Sequence, residues 1–292
     1  MASDSRPGLN HRRLVRLMNA AIDRCGLDLA GYTVLTEAAS GAYVVTPVLA
    51  AMAGADVYAL GTGTAYASAD EIEAATTGLA KLAGVADRVR LIRRKAAEYV
   101  AAADIVTNSG QVRPIDSEMI AQMKPSSVVP LMYEGWEYRA SDVDLEACRA
   151  RNIAVAGTNE QHSSVEVFSF LGLMAIKQLN DAGIEVRGSR IVLMCDNSFG
   201  PFIVRELENV GAEVAVTQRL TAEVLSPFCD AILVAMRPRE EHVITAADAE
   251  LIQHVVPDAV LVQYWGDADR AAMAAGRSTR RCRVGCAQSN PR

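Results

Sequence analysis

Two series of short β-rich runs, each alternating with Ala-rich helical stretches, constrain the fold of this chain more than any single motif does. From Tyr32 the runs are TVLTEA, DVYAL, RVRLI, DIVTN, SVVPLM and IAVAG. After a long apolar segment at 164–182 they resume as IVLMC, EVAVT, AILVAM and AVLVQYW. Strands that alternate with helices are joined by crossovers and lie parallel, so the pattern predicts an α/β fold with parallel sheets. The two series also answer one another. GADVYAL at Gly54 answers GAEVAVT at Gly211, and ADIVTN at Ala103 answers CDAILV at Cys229. The stretch from Glu118 to Pro125 answers that from Glu250 to Pro257, each leading into a strand. One βα unit used twice is the economical explanation, against the alternative that any two α/β halves look alike at this level.

Ahead of the first series, Leu14, Leu17, Met18, Ala21, Ile22 and Cys25 recur at helical spacing and predict an amphipathic helix closed by Gly26. The expected organisation is a first domain at 1–160, a second at 161–276 and a basic tail at 277–292. The chain has 292 residues, half of them hydrophobic, which suffices for two buried cores. No apolar run approaches the ~18 to 20 residues of a membrane span. The polar opening, with Pro7 and Gly8, is unlike an export signal, so a cytoplasmic protein with no membrane partner is expected. A net charge of −6, with basic residues dense only at 277–283, argues against a nucleic-acid partner. Six cysteines without a C-x-x-C pair make neither a disulfide framework nor a zinc site, and no metal is expected. Cys25, Cys148, Cys195 and Cys229 read as buried small hydrophobes, while Cys282 and Cys286 lie in the tail.

The run RIVLMCDNSFG, a helix and GAEVAVT reproduce the strand, turn, helix and strand that carry G-x-G-x-x-G in dinucleotide-binding proteins. Only the third glycine, Gly200, is present; Cys195 and Asn197 stand in the other two places. Asn tolerates positive φ, but its side chain limits the approach of a pyrophosphate. A bare Asp196 carboxylate within ~4 to 6 Å of a diphosphate would repel it by about 1 to 4 kcal/mol, against the attraction of the helix N-terminus. The next strand ends in Thr217-Gln218-Arg219, without an acid for the ribose, although Arg219 suits a 2′-phosphate. Two readings stay open. In one, Cys195, Asp196, Asn197, Ser198, Phe199, Gly200, Gln218 and Arg219 hold NAD or NADP; in the other this is a structural Rossmann turn that binds no nucleotide.

The segment from Asp142 to Thr158, the hinge-like stretch at 159–182 and the strand and loop through Val216 resemble the D-isomer-specific 2-hydroxyacid dehydrogenase family, which includes formate and glycerate dehydrogenases. The resemblance covers 142–273. It implies two Rossmann-like domains flanking a cleft, NAD(H) on the second domain, a small-molecule substrate and a homodimer. It also implies a catalytic arginine in an R-G pair, where this chain has Trp265-Gly266, and an acid/base pair further on, where nothing after Asp269 is Glu or His. Ordinary 2-hydroxyacid dehydrogenation is therefore not expected.

Ligands of open parallel sheets collect at the carboxyl ends of the strands. Three first-half strands end in polar segments, Asn108 to Asp116, Tyr133 to Arg139 and Thr158 to His162. Glu134 and Glu160 are candidate acid/base carboxylates, His162 is matched to neutral pH, and Arg113 is the candidate anion holder. Against this, Trp136, Glu137 and Arg139 suit a hinge or ion-pair cluster equally well, and His162 suits an ordinary polar loop. A Cys195 thiolate at the helix N-terminus is opposed by Asp196. The Gly61-Thr-Gly63-Thr segment reads as turn chemistry. The leading expectation is a divergent 2-hydroxyacid-dehydrogenase-like protein acting on a small molecule in the interdomain cleft with NAD(P). The alternatives are a cofactor-free pseudoenzyme or scaffold, and a non-redox lyase or cyclase using cleft carboxylates and His162.

Overall fold

A computed structural model describes residues 7–160, 162, 165, 167–225 and 228–275. The basic tail, with Cys282 and Cys286, lies outside them. The chain forms two compact units, Met1–Asn159 and Glu160–Arg292.

The first unit opens with α1 (His11–Cys25), whose first turn is capped by the Asn10 side chain and whose apolar stripe buries Leu14 and Met18. There follow β1 (Thr33–Glu37), α2 (Val45–Met52), β2 (Asp56–Leu60), α3 (Ala69–Ala83), β3 (Val89–Ile92), α4 (Ala97–Ala102), β4 (Ile105–Val106), α5 (Ser117–Gln122), β5 (Val128–Glu134), α6 (Leu145–Ala150) and β6 (Ala154–Thr158). The strands form a parallel sheet in the order β3-β2-β1-β4-β5-β6. Successive side chains of a strand point to opposite faces. Accordingly Val34 and Val57 pack with Val48, Ile72 and Leu79 on one side. Leu35 and Val106 pack with Ile120, Met123 and Val129 on the other. Helices cover both faces, which is why the central strands read as unbroken apolar runs.

The second unit comprises α7 (Ser169–Asp181), β7 (Arg190–Cys195), α8 (Gly200–Asn209), β8 (Glu213–Thr217), α9 (Ala222–Leu225), β9 (Ala231–Ala235), α10 (Ala246–Val255), β10 (Val260–Trp265) and α11 (Arg270–Ala275). Its parallel sheet runs β10-β9-β7-β8. Ile191 and Leu193 pack with Leu179, Ile203 and Leu207 on one face. Val192 and Met194 pack with Leu225 and Ile252 on the other.

The internal repeat has a topological counterpart. Read outward, β8-β7-β9-β10 matches β2-β1-β4-β5, so GADVYAL and GAEVAVT are the same strand of each sheet, as are the strands of ADIVTN and CDAILV. Helices α5 and α10 each lead into the fourth matched strand. In both sheets the chain winds outward and then reverses, which leaves a switch point between β1 and β4 and another between β7 and β9. One cysteine departs from expectation. Cys148, Cys195 and Cys229 are buried, but Cys25 is exposed, because the last residue of α1 falls off its buried stripe. Among the described residues no helix is long and apolar enough to cross a membrane, and no group of three or more His, Cys, Asp or Glu is arranged to hold a metal.

Candidate functional site

Each carboxyl edge carries a cluster of polar side chains, and each is built within its own unit. At the first, the loop after β4 brings Arg113 to Asp142, with its Nη1 3.0 Å from Oδ2. The Tyr133 hydroxyl donates to the same oxygen at 3.1 Å, while Arg139 lies 4.0 Å from it and over the Tyr133 ring at 5.7 Å. Burial, then the Asp142 hydrogen bond, holds the Tyr133 phenol above its ordinary pKa. Asn108 is buried, and its Oδ1 accepts the Met132 N–H at 2.7 Å, filling the irregularity in β5 between Pro130 and Glu134. Gln111 clamps the main chain of Thr62, accepting from its N–H at 2.6 Å and donating to its carbonyl at 2.8 Å. The Gly61-Thr-Gly63-Thr segment is thereby fixed as a turn tied to the β4 loop.

Glu134 sits buried at the end of β5 and accepts from the Trp136 indole. Arg139 lies within 4.0 Å of Asp142. Glu160 and His162 belong to the second unit, in the segment ahead of α7, with Glu160 half-buried and His162 exposed.

Sequence reasoning missed Glu37. It ends β1 at the first switch point, half-buried, and accepts the Gln111 N–H with Arg113 close enough to act on its charge. Burial outweighs both and pushes its pKa above the usual carboxylate value. Gly110 has φ +35°, which side chains rarely adopt, and a Cβ there would meet the end of the Glu37 side chain, which would have to move aside. Thr36, Thr107 and Ser109 lie buried alongside and hydrogen-bond one another at 2.8 to 3.3 Å. The available signal was a Thr-Glu pair closing an otherwise apolar strand.

At the second edge Asp196 is not the bare carboxylate that its sequence position suggests. It accepts the Arg237 N–H and an Arg239 guanidinium N–H, both at 2.9 Å, and the Asn197 amide at 3.1 Å. Burial raises its pKa, but these donors outweigh burial and hold it below the usual range. Asn197 also donates to the Ala235 carbonyl at 2.7 Å and accepts the Phe199 N–H at 3.0 Å, tying the β7 loop across the switch point to β9. Phe199 stacks on Trp265 with ring centroids 5.0 Å apart, and Phe168 meets Phe199 edge-on at 5.4 Å. A Cβ on Gly200 would lie 3.4 Å from Cys195 Sγ, an ordinary van der Waals contact, so the third-glycine place does not require glycine on steric grounds. Burial raises the Cys195 thiol pKa, against smaller lowering contributions from hydrogen bonds with Asn197 and Gly200. Ser198, Gln218 and Arg219 are exposed, and Thr217 hydrogen-bonds within the turn that presents Arg219.

The sequence matches no family model, and it matches no curated protein. It does resemble solved structures. A dipicolinate synthase polypeptide from Bacillus halodurans superposes with a TM-score of 0.51 at 11% identity, over 85% of this chain and 88% of that one. The dipicolinate synthase polypeptide from Bacillus subtilis gives 0.50 at 8% identity, over 86% and 87%. An NAD-dependent formate dehydrogenase from Staphylococcus aureus, solved with NAD, gives 0.49 at 12%, over 83% and 76%. The two dipicolinate synthase structures carry the comparison, and at these identities the likeness is one of fold.

Proposed function

We propose that the chain is an NAD(P)(H)-binding oxidoreductase of the 2-hydroxyacid-dehydrogenase-like kind. The nucleotide is held at the carboxyl edge of the second sheet, and a small polar substrate at that of the first. The observation that carries this reading is the pairing of Asp196 with Arg239. It neutralises the Asp196 carboxylate, which would otherwise oppose a diphosphate, and brings the Arg239 guanidinium to the loop ahead of α8. The register Met194↔Thr217 and Cys195↔Ala235 puts Arg219 on one side of the β7 loop and Arg237 on the other. Together with the helix N-terminus these cations suit an anionic ligand.

The donor set fits a dinucleotide in an altered form. Pro201 has no N–H and the Phe199 N–H is taken by Asn197, so the diphosphate is held by the Arg239 side chain more than by the main-chain groups of a glycine-rich turn. Arg219 is placed for a 2′-phosphate. When bound, the nicotinamide supplies or accepts a hydride; the chain's own residues bind and orient, with Arg113, Arg139 and Tyr133 holding the substrate. Calorimetric titration with NADH and NADPH tests the reading, which predicts saturable binding of at least one.

A second reading, a cofactor-free scaffold, is favoured by the occupied Phe199 N–H and by the Phe199–Trp265 stack at the edge of the second sheet. Absence of nucleotide binding under conditions in which the chain is folded selects it.

A further inference from the structure

The edge strands of an open sheet offer unpaired main-chain N–H and C=O groups to any strand that approaches. Among the described residues the four edges are β3 and β6 of the first sheet and β10 and β8 of the second. Three of them are protected. Strand β3 carries the exposed Arg90, with Arg88 and Arg93 at its two ends, and β8 opens with the exposed Glu213. Strand β10 has no charge, but none of its residues is exposed. Strand β6 has neither protection. Its sequence is AVAGT, without charge or proline, and Ala154, Ala156, Gly157 and Thr158 are all exposed.

The sheet face beside that edge is bare as well. Alternation along β5 sends Val129 and Leu131 into the core that holds Ile120 and Cys148, while Val128, Pro130 and Met132 point to the opposite side. On β6, Val155 packs into the same core, and Ala154 and Ala156 point away from it. On that opposite side, where Val34 and Val57 are buried, no residue of β5 or β6 joins the core. Val128 is 39% exposed and Met132 47%, whereas parallel strands are ordinarily covered on both faces. The register Val128↔Ala154 and Pro130↔Ala156 sets these side chains in one apolar patch that runs out to the edge. The one charged side chain on the two strands, Glu134, is buried and accepts from the Trp136 indole, so it puts no charge into the patch.

An apolar surface that continues into an unprotected edge marks a contact surface, and a second copy of the chain fits it. An uncharged edge meets no repulsion from its own like. An antiparallel pair of β6 strands about a two-fold axis joins two six-stranded sheets edge to edge. It also brings opposite charges together, because Arg151 stands three residues ahead of β6 and Glu160 two residues after it, so each end of one strand meets the other charge on its partner. We propose that the chain forms a homodimer through β6, with Val128, Met132, Ala154 and Ala156 of each copy flanking the strand pair. This goes beyond the cofactor reading and stands without it.

Sedimentation velocity of the full chain at micromolar concentration tests the proposal, with amide hydrogen exchange as a second readout. The wild type should sediment at twice the monomer mass. Ala156→Lys and Met132→Lys put a charge into the patch at residues that are already exposed, so both should keep the wild-type far-UV circular dichroism and weaken dimerisation at least about tenfold. Phe170→Lys, at the exposed apolar start of α7, should leave the dimer unchanged. Dilution of the wild type from dimer to monomer should speed amide exchange at 154–158. A monomeric wild type, which leaves the patch to an extended peptide or to another part of the chain, overturns the proposal. So does a dimer that survives both patch variants, one that Phe170→Lys dissociates, or one whose amides at 154–158 exchange equally fast at every concentration.

Discussion

Replacing Asp196 by Asn removes one charge from a group with three donors, and the consequence follows from its neighbours. Asn keeps an acceptor oxygen for the Arg237 N–H but loses the charge that holds Arg239 at 2.9 Å. Hydrogen bonds to charged groups contribute about 1.5 to 3 kcal/mol, but Arg239 is 57% exposed, so its share is nearer that of a screened surface pair, below about 1 kcal/mol. Adding the weakened main-chain contact, Asp196→Asn should destabilise the second unit by about 1 to 2 kcal/mol at pH 7. With a urea slope of about 1 to 3 kcal/mol/M, the midpoint falls by about half a molar. The two tryptophans lie one in each unit, so Trp265 fluorescence in a Trp136→Phe background reports the second unit alone. The pH dependence has a definite sign. A carboxyl whose folded pKa is depressed stabilises above its unfolded value near 3.8 and loses that contribution as pH falls through the folded value. The gap between wild type and variant should therefore be full at pH 6 to 7 and shrink below about pH 4. Equal midpoints at pH 7, or a gap undiminished at pH 3, would refute the pairing.

Two further outcomes are expected. Gly110→Ala puts a side chain into positive φ, so it should destabilise the first unit by about 1 to 3 kcal/mol in urea, and an unchanged midpoint would refute that backbone conformation. Arg219→Ala should weaken NADPH more than NADH by calorimetry, by about tenfold or more, and equal losses for both would remove the 2′-phosphate assignment.

The architecture was legible because its determinants are local. The run DVYAL coincides with β2, EVAVT with β8, and the internal likeness of the halves maps onto matched strands. Glu134 and Trp136 also meet locally, two residues apart. The clusters that set the chemistry are not local. Glu37 reaches Gly110 and Arg113 through the pairing of β1 with β4, about seventy residues on, and no periodicity carries that information. Asp196 meets Arg239 from the loop after β9, 43 positions away, which turned an apparent obstacle to anion binding into a neutral pair. Trp265 was conspicuous as a substitution for an arginine, but its partner Phe199 could be identified only once β7, β9 and β10 were side by side.

The central claim is that arginines, not a glycine-rich main chain, hold a dinucleotide at the start of α8, and Arg239→Ala tests it most directly. The substitution removes a cation and at the same time exposes the Asp196 carboxylate, so both effects act in one direction. Calorimetric titration should show wild-type binding of NADH or NADPH and a loss of roughly tenfold or more in Arg239→Ala. No nucleotide binding by the folded wild type, or equal affinity in the two proteins, would contradict the account.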